Sequence, residues 1–385
     1  MLIAPTVGDP VLPAEVTDRA RQLGALESPL IWWALAGVSI ALATVAIARW
    51  RHRRTRRWAM TAAAVSLVLT FVTAVNSYVG YVRTSHDLAR LMQRATGAVN
   101  GMGLLLDDES PDDEPMPEGA HPTPNGAHIE TLSLRDPANA VPTGHHFVLL
   151  PAGYYDPANA AKRYPVVYLI HGYPFGGPND WLTSGDAPGT LQALESRKLI
   201  SPMIVVSVDM TAGQPSKDWE CLNVPDGPHL ENYLATTVVG AIDQHYRTIP
   251  ERTSRALGGM SGGGFGALNI GLHHLDEFGV LPIALPYDDL NDSIDVMADD
   301  QNAIPEDTPR QYIPTMRFTY PVATILAAGS GAPTDVSTAN RIADSLRDRG
   351  QEAVVHVEHG FNHTWHTARA ALPYLLAFAD QHFAH

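Results

Sequence analysis

The chain has 385 residues, 45% of them hydrophobic, a formal net charge of −15 and one cysteine, Cys221. This length allows more than one folded unit, and a single cysteine excludes an intrachain disulfide. The charge is uneven, because residues 1–100 carry 11 basic and 5 acidic side chains, whereas residues 101–385 carry 15 and 36. The acidic C-terminal part argues against nucleic-acid binding, since phosphate contacts need a positive surface.

The N-terminal region contains two long apolar runs. Residues 30–48 and 58–82 hold no charged side chain, and each is about the length that crosses a bilayer as a helix. The loop between them, residues 49–57, holds six arginines, which favours the cytoplasmic side for the loop and the outer side for both termini. We predict a transmembrane helical hairpin over residues 29–83, preceded by an extracytoplasmic segment, residues 1–28.

A signal peptide is the alternative for the first run, and a buried core helix is the alternative for the second. Signal peptides begin with basic residues, but four acidic and two basic side chains precede the first run. After the hairpin, residues 84–127 combine an amphipathic helical pattern with an acidic, proline-rich stretch. Such a composition predicts a linker.

Residues 128–385 alternate short apolar runs with helical stretches. Continuous apolar runs, such as residues 166–170 and 204–208, are typical of parallel strands buried on both faces. The alternation predicts an α/β fold with a doubly wound sheet, whose ligand chemistry lies at the carboxyl ends of the strands. The predicted strands are residues 129–133, 146–150, 165–170, 203–208, 255–259, 281–285, 323–327 and 353–358, and the predicted helices are 230–246, 265–274, 338–349 and 365–382.

A G-x-S-x-G motif surrounds Ser261, between a predicted strand and a predicted helix. That context is typical of a nucleophile elbow, a tight turn that exposes the serine hydroxyl and directs the next backbone N–H at the oxyanion. A glycine-rich surface loop is the alternative. We predict that Ser261 is a nucleophile and that Gly262 supplies one oxyanion donor.

A serine nucleophile needs a base, which follows the last strand of an α/β-hydrolase. His363 lies in the segment after residues 353–358 and is the predicted base, with His359 and His366 close by in sequence. The three histidines could instead bind zinc, but no upstream acid or cysteine is paired with them. We predict no metal and no cofactor.

The sequence leaves open which acidic residue orients the histidine. Asp335 follows the predicted strand at residues 323–327, although it could equally cap the next helix. Asp344 lies inside that helix, on the side away from its apolar stripe. Asp288 and Asp289, which follow an earlier strand, are a third option.

The second oxyanion donor should lie in the turn after the strand at residues 165–170. Pro174 has no N–H, so Tyr173 is the predicted donor. His171 in the same turn is expected to be structural. Cys221 is an unfavourable nucleophile, because adjacent acidic residues raise the pKa of a thiol.

Together these motifs resemble the putative-esterase family of α/β-hydrolases. The resemblance rests on His171-Gly172, Asn179-Asp180-Trp181, the Ser261 elbow and His363-x-Trp365, and it covers about residues 140–380. The family includes S-formylglutathione hydrolases, feruloyl esterases and the mycolyltransferases of mycobacterial cell walls. The resemblance implies that Ser261 is the nucleophile and His363 the base, with Tyr173 and Gly262 donating to the oxyanion.

The family resemblance implies different acids depending on which of its members is compared. In ordinary esterases of the family the acid lies in the loop itself, which favours Asp335. In mycolyltransferases it lies further along, in the next helix, which favours Asp344. The apolar N-terminal hairpin departs from the secreted members and is similar to a membrane-anchored, actinobacterial type.

The leading hypothesis is a serine esterase or acyltransferase, anchored in the cell membrane with its catalytic domain outside the cytoplasm. It would act through an acyl-serine intermediate on a lipid or cell-envelope ester. The alternative is a catalytically inactive hydrolase-fold protein that binds or organises envelope components. A membrane sensor is a third hypothesis without a supporting motif, and the sequence does not indicate an oligomeric state.

Overall fold

The computed structural model describes residues 8–85, 87–89, 121–122, 126–174, 176–290, 295–297 and 303–384. The chain divides into two compact units. The sheet unit comprises Met1–Arg21 and Gly119–His385, and the hairpin unit comprises Gln22–Glu118. Most of the predicted linker, residues 84–127, lies outside the described residues.

Within the described residues, nine strands form one sheet in the order β1-β2-β3-β5-β4-β6-β7-β8-β9. The first three strands are antiparallel, β3 also runs antiparallel to β5, and β4 to β9 are parallel. Eight of the strands match the predicted ones, which confirms the doubly wound α/β fold. The strands are β1 His121–Pro122, β2 His128–Asp136, β3 Val141–Leu150, β4 Val166–Ile170, β5 Ile204–Val208, β6 Arg255–Met260, β7 Val280–Ala284, β8 Ala323–Gly329 and β9 Glu352–Glu358.

Helices cover both faces of the sheet. Alternate residues of β4 point to opposite faces, so Val166, Tyr168 and Ile170 join a core with α5, α6 and α9. Helices α1, α4 and α10 pack with one another, and α10 packs against β7, β8 and β9. The helices of the sheet unit are α1 Ala14–Arg21, α4 Ala187–Glu195, α5 at residues 230–245 with a π-helical turn at Tyr233–Val238, α6 Gly262–His273, α7 Ala303–Glu306, α8 Pro309–Tyr312, α9 Pro333–Asp348 and α10 Trp365–His382.

The register of the central strands positions the functional turns. Strand β4 pairs with β5 on one side and β6 on the other, and Ile170 at its end lies opposite Gly259 of β6. The turns after β4 and β6 therefore lie next to each other. Strand order reverses at β4, and such a switch point is where open α/β sheets bind ligands.

The described part of the N-terminal segment folds with the sheet unit. Val16 and Ala20 of α1 are buried, and α1 packs on α10. Arg21 Nε lies 3.0 Å from a carboxylate oxygen of Glu358 at the end of β9. The N-terminal stretch of the sheet unit ends at Arg21, within the predicted segment of residues 1–28.

The hairpin unit contains two long helices, α2 Pro29–Ala48 and α3 Arg53–Val79. Both are long and apolar enough to span a membrane, with mean hydropathies of 2.1 and 1.9. The helices are joined by polar contacts, since the Ser39 hydroxyl donates to Ser66 Oγ at 2.9 Å and Ser66 Oγ donates to the Leu35 carbonyl at 3.0 Å. Their large apolar side chains are mostly exposed, as at Ile47 and Phe71.

Candidate active site

Ser261 lies in the turn between β6 and α6, with φ +55° and ψ −118°. A non-glycine residue with positive φ is strained, and the surrounding structure must hold it there. A Cβ at Gly259 would lie 2.1 Å from the Gly263 carbonyl oxygen, and one at Gly263 would lie 2.2 Å from the His171 carbonyl oxygen. Only glycine fits at these two positions, so the glycines permit the sharp turn that presents the Ser261 hydroxyl.

His363 connects Ser261 to Asp335. The Ser261 Oγ lies 2.9 Å from His363 Nε2, and Asp335 Oδ2 lies 2.7 Å from His363 Nδ1. In a neutral histidine with the proton on Nδ1, Nδ1–H donates to the carboxylate and Nε2 accepts the serine proton. The predicted nucleophile, base and acid are thus hydrogen-bonded in series, an arrangement that can activate a serine.

The loops after β8 and β9 are tied together, and this brings Asp335 to His363. The Ser330 N–H donates to the Glu358 carbonyl at 2.9 Å, and the Gly331 N–H donates to the Phe361 carbonyl at 2.7 Å. A Cβ at Gly331 would lie 2.5 Å from Asn362 Oδ1. The close contact of the two loops fixes the acid beside the base.

The structure separates the two leading candidates for the acid. Helix α9 begins at Pro333, five residues earlier than predicted, so Asp335 lies in its first turn and not in the preceding loop. A carboxylate is stabilised at this end of a helix. Asp344 lies further along the same helix, 69% exposed, and pairs with Arg347 at 3.0 Å. Its geometry gives it no part in the hydrogen-bonded series.

Asp288 and Asp289, the third option for the acid, form ion pairs with arginines. Asp288 is buried and pairs with Arg310 and Arg341, each at 2.8 Å. Burial acts to raise the pKa of Asp288, but the hydrogen bonds from the two arginines outweigh it and lower that pKa. Asp289 pairs with Arg310 at 3.1 Å. Both carboxylates therefore tie the segment after β7 to neighbouring arginines.

The described structure shows no metal-binding group that combines His363 with His359 and His366. His366 is buried in α10, and its Nδ1 lies 3.0 Å from an Arg369 guanidinium nitrogen. In the described part of the chain, His359, His363 and His366 form no common group of metal-ligand atoms. The interpretation of these histidines as a zinc site therefore has no geometric support.

The predicted oxyanion donors lie beside each other. A Cβ on Gly262 would lie 3.8 Å from the Tyr173 backbone nitrogen, so the two N–H groups belong to one small region next to the serine. Among the described residues, neither N–H donates a hydrogen bond to a protein acceptor. Two unused donors next to a nucleophile can stabilise an oxyanion.

His171 holds the turn that carries Tyr173. Its Nε2 accepts a hydrogen bond from the Met210 N–H at 3.3 Å, and its Nδ1 lies 3.0 Å from the Gly172 carbonyl oxygen. The Trp181 indole donates to the Ile170 carbonyl at 2.8 Å, at the end of β4. These contacts agree with the structural role expected for His171.

The sequence did not point to Tyr287 and Glu220, which lie at the same edge. The Tyr287 hydroxyl donates to the Glu220 carboxylate, at 2.7 and 2.6 Å from its two oxygens. That hydroxyl also lies 3.5 Å from the position of a Cβ on Gly262. Burial, with the Glu220 charge, raises the pKa of Tyr287 well above its usual value. The available signal was the position of Tyr287 directly after β7, at the carboxyl edge of the sheet.

A small cleft, open to solvent, adjoins the predicted oxyanion donors. Its walls include Lys217, whose ammonium lies 3.7 Å from the centre of the Trp219 ring. Cys221 also lines the cleft but is buried, and burial together with Glu220 raises the pKa of its thiol well above the usual value. The thiol is therefore a poor nucleophile, as predicted.

The doubly wound sheet with the turn at Ser261 is that of the α/β-hydrolase fold. Residues 144–300 match the model of a family described as putative esterase, which confirms the resemblance predicted from the sequence. The chain is also 34% identical over 134 residues to an uncharacterised protein of Corynebacterium glutamicum, covering 34% of this chain. The match spans 30% of that relative's length.

Solved structures share the fold. A ferulic acid esterase is 23% identical, with a TM-score of 0.56 over 67% of this chain and 99% of its own. An S-formylglutathione hydrolase of Agrobacterium tumefaciens is 14% identical, with a TM-score of 0.55 over 68% and 98%. The fluorophosphonate-binding serine hydrolase F of Staphylococcus aureus is 14% identical, with a TM-score of 0.52 over 66% and 98%.

Replacing Asp335 should separate it from Asp344. In Asp335→Asn the amide no longer stabilises the imidazolium, so we expect kcat for a p-nitrophenyl ester to fall about 10³-fold with KM little changed. The matched variant Asp344→Asn, on the same helix, should stay within about twofold of the wild type. Steady-state kinetics on both variants checks this. A large loss in Asp344→Asn with near-normal Asp335→Asn would assign the acid to Asp344.

Proposed function

We propose that the protein is a serine carboxylic-ester hydrolase or acyltransferase that works through an acyl-serine intermediate. The observation that carries the proposal is the hydrogen-bonded series Ser261–His363–Asp335 beside the N–H groups of Tyr173 and Gly262. The putative-esterase match over residues 144–300 supports the same reaction class. No cofactor is needed for this chemistry.

In the first half-reaction, Ser261 Oγ attacks the ester carbonyl carbon while His363 Nε2 takes the hydroxyl proton. The negative charge of the tetrahedral intermediate lies on the former carbonyl oxygen, near the N–H groups of Tyr173 and Gly262. The bond to the leaving alkoxide breaks as His363 returns the proton to that oxygen. An alcohol leaves, and an acyl ester remains on Ser261, while Asp335 holds the imidazole and stabilises its cation.

The second half-reaction releases the acyl group. Water, or the hydroxyl of an acceptor, gives its proton to His363 Nε2 and attacks the acyl carbon, and collapse of the intermediate returns the proton to Ser261 Oγ. The side chain of His363 is 41% exposed, so water reaches the base. Hydrolysis is then the default outcome, and transfer requires an acceptor that displaces water from His363.

The inactive alternative has lost its main argument. That hypothesis depended on the lack of an identifiable acid, and Asp335 Oδ2 lies 2.7 Å from His363 Nδ1. A protein that only bound ligands would have no need of a strained serine at φ +55° with a base on its hydroxyl. We therefore favour an enzyme.

Loss of the Ser261 hydroxyl should abolish turnover. We expect Ser261→Ala to reduce kcat/KM for short p-nitrophenyl esters by at least about 10⁴-fold, because the variant lacks the nucleophile. Ser337→Ala is the matched control, because Ser337 is exposed on α9 and bonds to its own helix at the Pro333 carbonyl. Initial rates over an acyl-chain series measure both variants. Full turnover by Ser261→Ala would refute the proposed mechanism.

We further propose that the hairpin unit anchors the enzyme in a membrane. Helices α2 and α3 have the length and hydropathy of spans, and their apolar side chains are largely exposed, with Trp58 and Ile47 more than 70% accessible. A core helix of a water-soluble protein would bury such residues. The six arginines between residues 49 and 57 favour a cytoplasmic loop, and on that basis we propose that residues 128–385 lie outside the cytoplasm.

The anchor suggests the substrate. An enzyme held at the membrane surface meets esters of lipids and of other envelope components at high local concentration. We propose a lipid or cell-envelope ester as the natural substrate. Residues 84–127 would act as the linker between the hairpin and the catalytic domain.

Cysteine labelling tests the orientation. Cys221 is buried, and a Cys221→Ala background removes it entirely. In that background, we expect a membrane-impermeant maleimide to label Ser337→Cys on intact cells. Arg54→Cys, in the arginine-rich loop, should react only after the membrane is permeabilised. Labelling of Arg54→Cys on intact cells with protection of Ser337→Cys would reverse the proposed topology.

A further inference from the structure

A second group of chemically capable side chains lies at the far end of α6 from Ser261. Glu231 in α5, His273 at the end of α6 and Asp307 directly after α7 each offer one ligand atom, and the three atoms lie within 4.8 Å of one another. The mechanism above uses none of these residues. Helix α6 has 12 residues, so the group lies roughly 18 Å along the helix from the serine.

His273 presents one ring nitrogen to the group. Its Nε2 lies 3.1 Å from the Glu306 carbonyl oxygen, an acceptor, so Nε2 carries a proton. Nδ1 faces a Glu231 carboxylate oxygen at 3.3 Å. With no ion bound, this contact is an ion pair in which Nδ1–H donates to Glu231. A metal ion would replace the proton on Nδ1, and metal-binding histidines commonly give their other N–H to a backbone carbonyl.

Hydrogen bonds from neighbouring side chains also fix the orientation of the two carboxylates. Asn269 Nδ2 donates to Asp307 Oδ1 at 3.0 Å, and the Tyr312 hydroxyl holds Asn269 Oδ1 at 3.0 Å. His274 Nε2 lies 3.0 Å from the outer carboxylate oxygen of Glu231. Each candidate ligand thus has a partner that fixes its orientation, which is the supporting shell that metal sites require.

The group offers two carboxylates as ligands for a cation. Two carboxylates converge there, and the Glu231 side chain is only 11% exposed. Among the described residues, Glu231 pairs with His273 at 3.3 Å and His274 at 3.0 Å, and no lysine or arginine forms an ion pair with Glu231 or Asp307. The His273 side chain is 26% exposed, so an ion can enter from solvent.

We propose that Glu231, His273 Nδ1 and Asp307 bind one divalent transition-metal ion of the zinc type, with water completing its coordination. One imidazole nitrogen with two carboxylate oxygens suits zinc, whereas calcium and magnesium prefer all-oxygen sites. Tetrahedral zinc places its ligand atoms roughly 3.4 Å apart. His273 Nδ1 and Glu231 Oε2 are already 3.3 Å apart, and all three ligand atoms lie within 4.8 Å of one another, so only a small adjustment is needed. The ion would join α5, α6 and the segment after α7, and so stabilise the helix that begins after Ser261.

The test uses the full-length protein in detergent, stripped with EDTA and then dialysed against ZnCl₂. Bound metal is counted by mass spectrometry, and thermal unfolding is followed by circular dichroism. We expect one equivalent of zinc and a midpoint several degrees higher, with no equivalent of magnesium or calcium bound. His273→Gln and Asp307→Asn should each weaken zinc binding at least tenfold.

Two further variants locate the ion. His245→Gln removes an exposed α5 histidine whose Nδ1 bonds to its own helix at the Ala241 carbonyl, and His363→Ala removes the proposed catalytic histidine. Both should keep the full equivalent of zinc. No zinc binding by the wild type would overturn the proposal, as would binding that survives in His273→Gln and Asp307→Asn or disappears in His363→Ala. These outcomes do not depend on esterase activity.

Discussion

The hydrogen-bonded series Ser261–His363–Asp335 depends on the positive φ of one residue, Ser261. Such a backbone costs about 1–3 kcal/mol, which the surrounding contacts must offset. The Ser261 N–H donates to the Ala284 carbonyl of β7 at 3.1 Å, and its carbonyl accepts from the Phe265 N–H of α6 at 2.8 Å. The serine is therefore held by a neighbouring strand and by its own helix, which fixes Oγ where His363 can reach it.

The other members of the series are placed by the edge of the sheet. Asp335 follows β8 and His363 follows β9, so a shift between these parallel strands would separate acid from base.

Strand β9 is the last strand, and the N-terminal segment braces it. Asp9 lies 2.8 Å from His356, and Arg21 pairs with Glu358. Burial lowers the pKa of His356, but the hydrogen bonds to Asp9 and Glu358 outweigh it and raise that pKa to about 9. The imidazole is therefore a cation at neutral pH and completes a chain of alternating charges.

The fold, Ser261 and His363 could be predicted from the sequence because each is marked by a local sequence pattern. Buried parallel strands appear as continuous apolar runs, and the order serine then histidine follows from the topology. The acid was less accessible, because Asp335 and Asp344 lie on the same helix and only the loop contacts around Gly331 decide which one reaches His363. The start of α9 at Pro333 was missed, since proline at the first helical position reads equally well as a loop residue.

Contacts between residues far apart in sequence left no such signal. Tyr287 and Glu220 are separated by 67 positions, and Glu231, His273 and Asp307 come from three different elements. None of these sits in a recognisable motif, because their meaning depends on how α5, α6 and the segments beside them pack. Three-dimensional packing was needed to bring each group together.

The most direct measurement of the central claim is covalent labelling of the elbow serine. The full-length protein is treated with a fluorophosphonate, digested, and analysed by peptide mass spectrometry. We expect a single phosphonylated residue, Ser261, with labelling slowed strongly in His363→Ala because the hydroxyl has lost its base. An unlabelled Ser261 in the folded wild type, or labelling that is equally fast without His363, would contradict it.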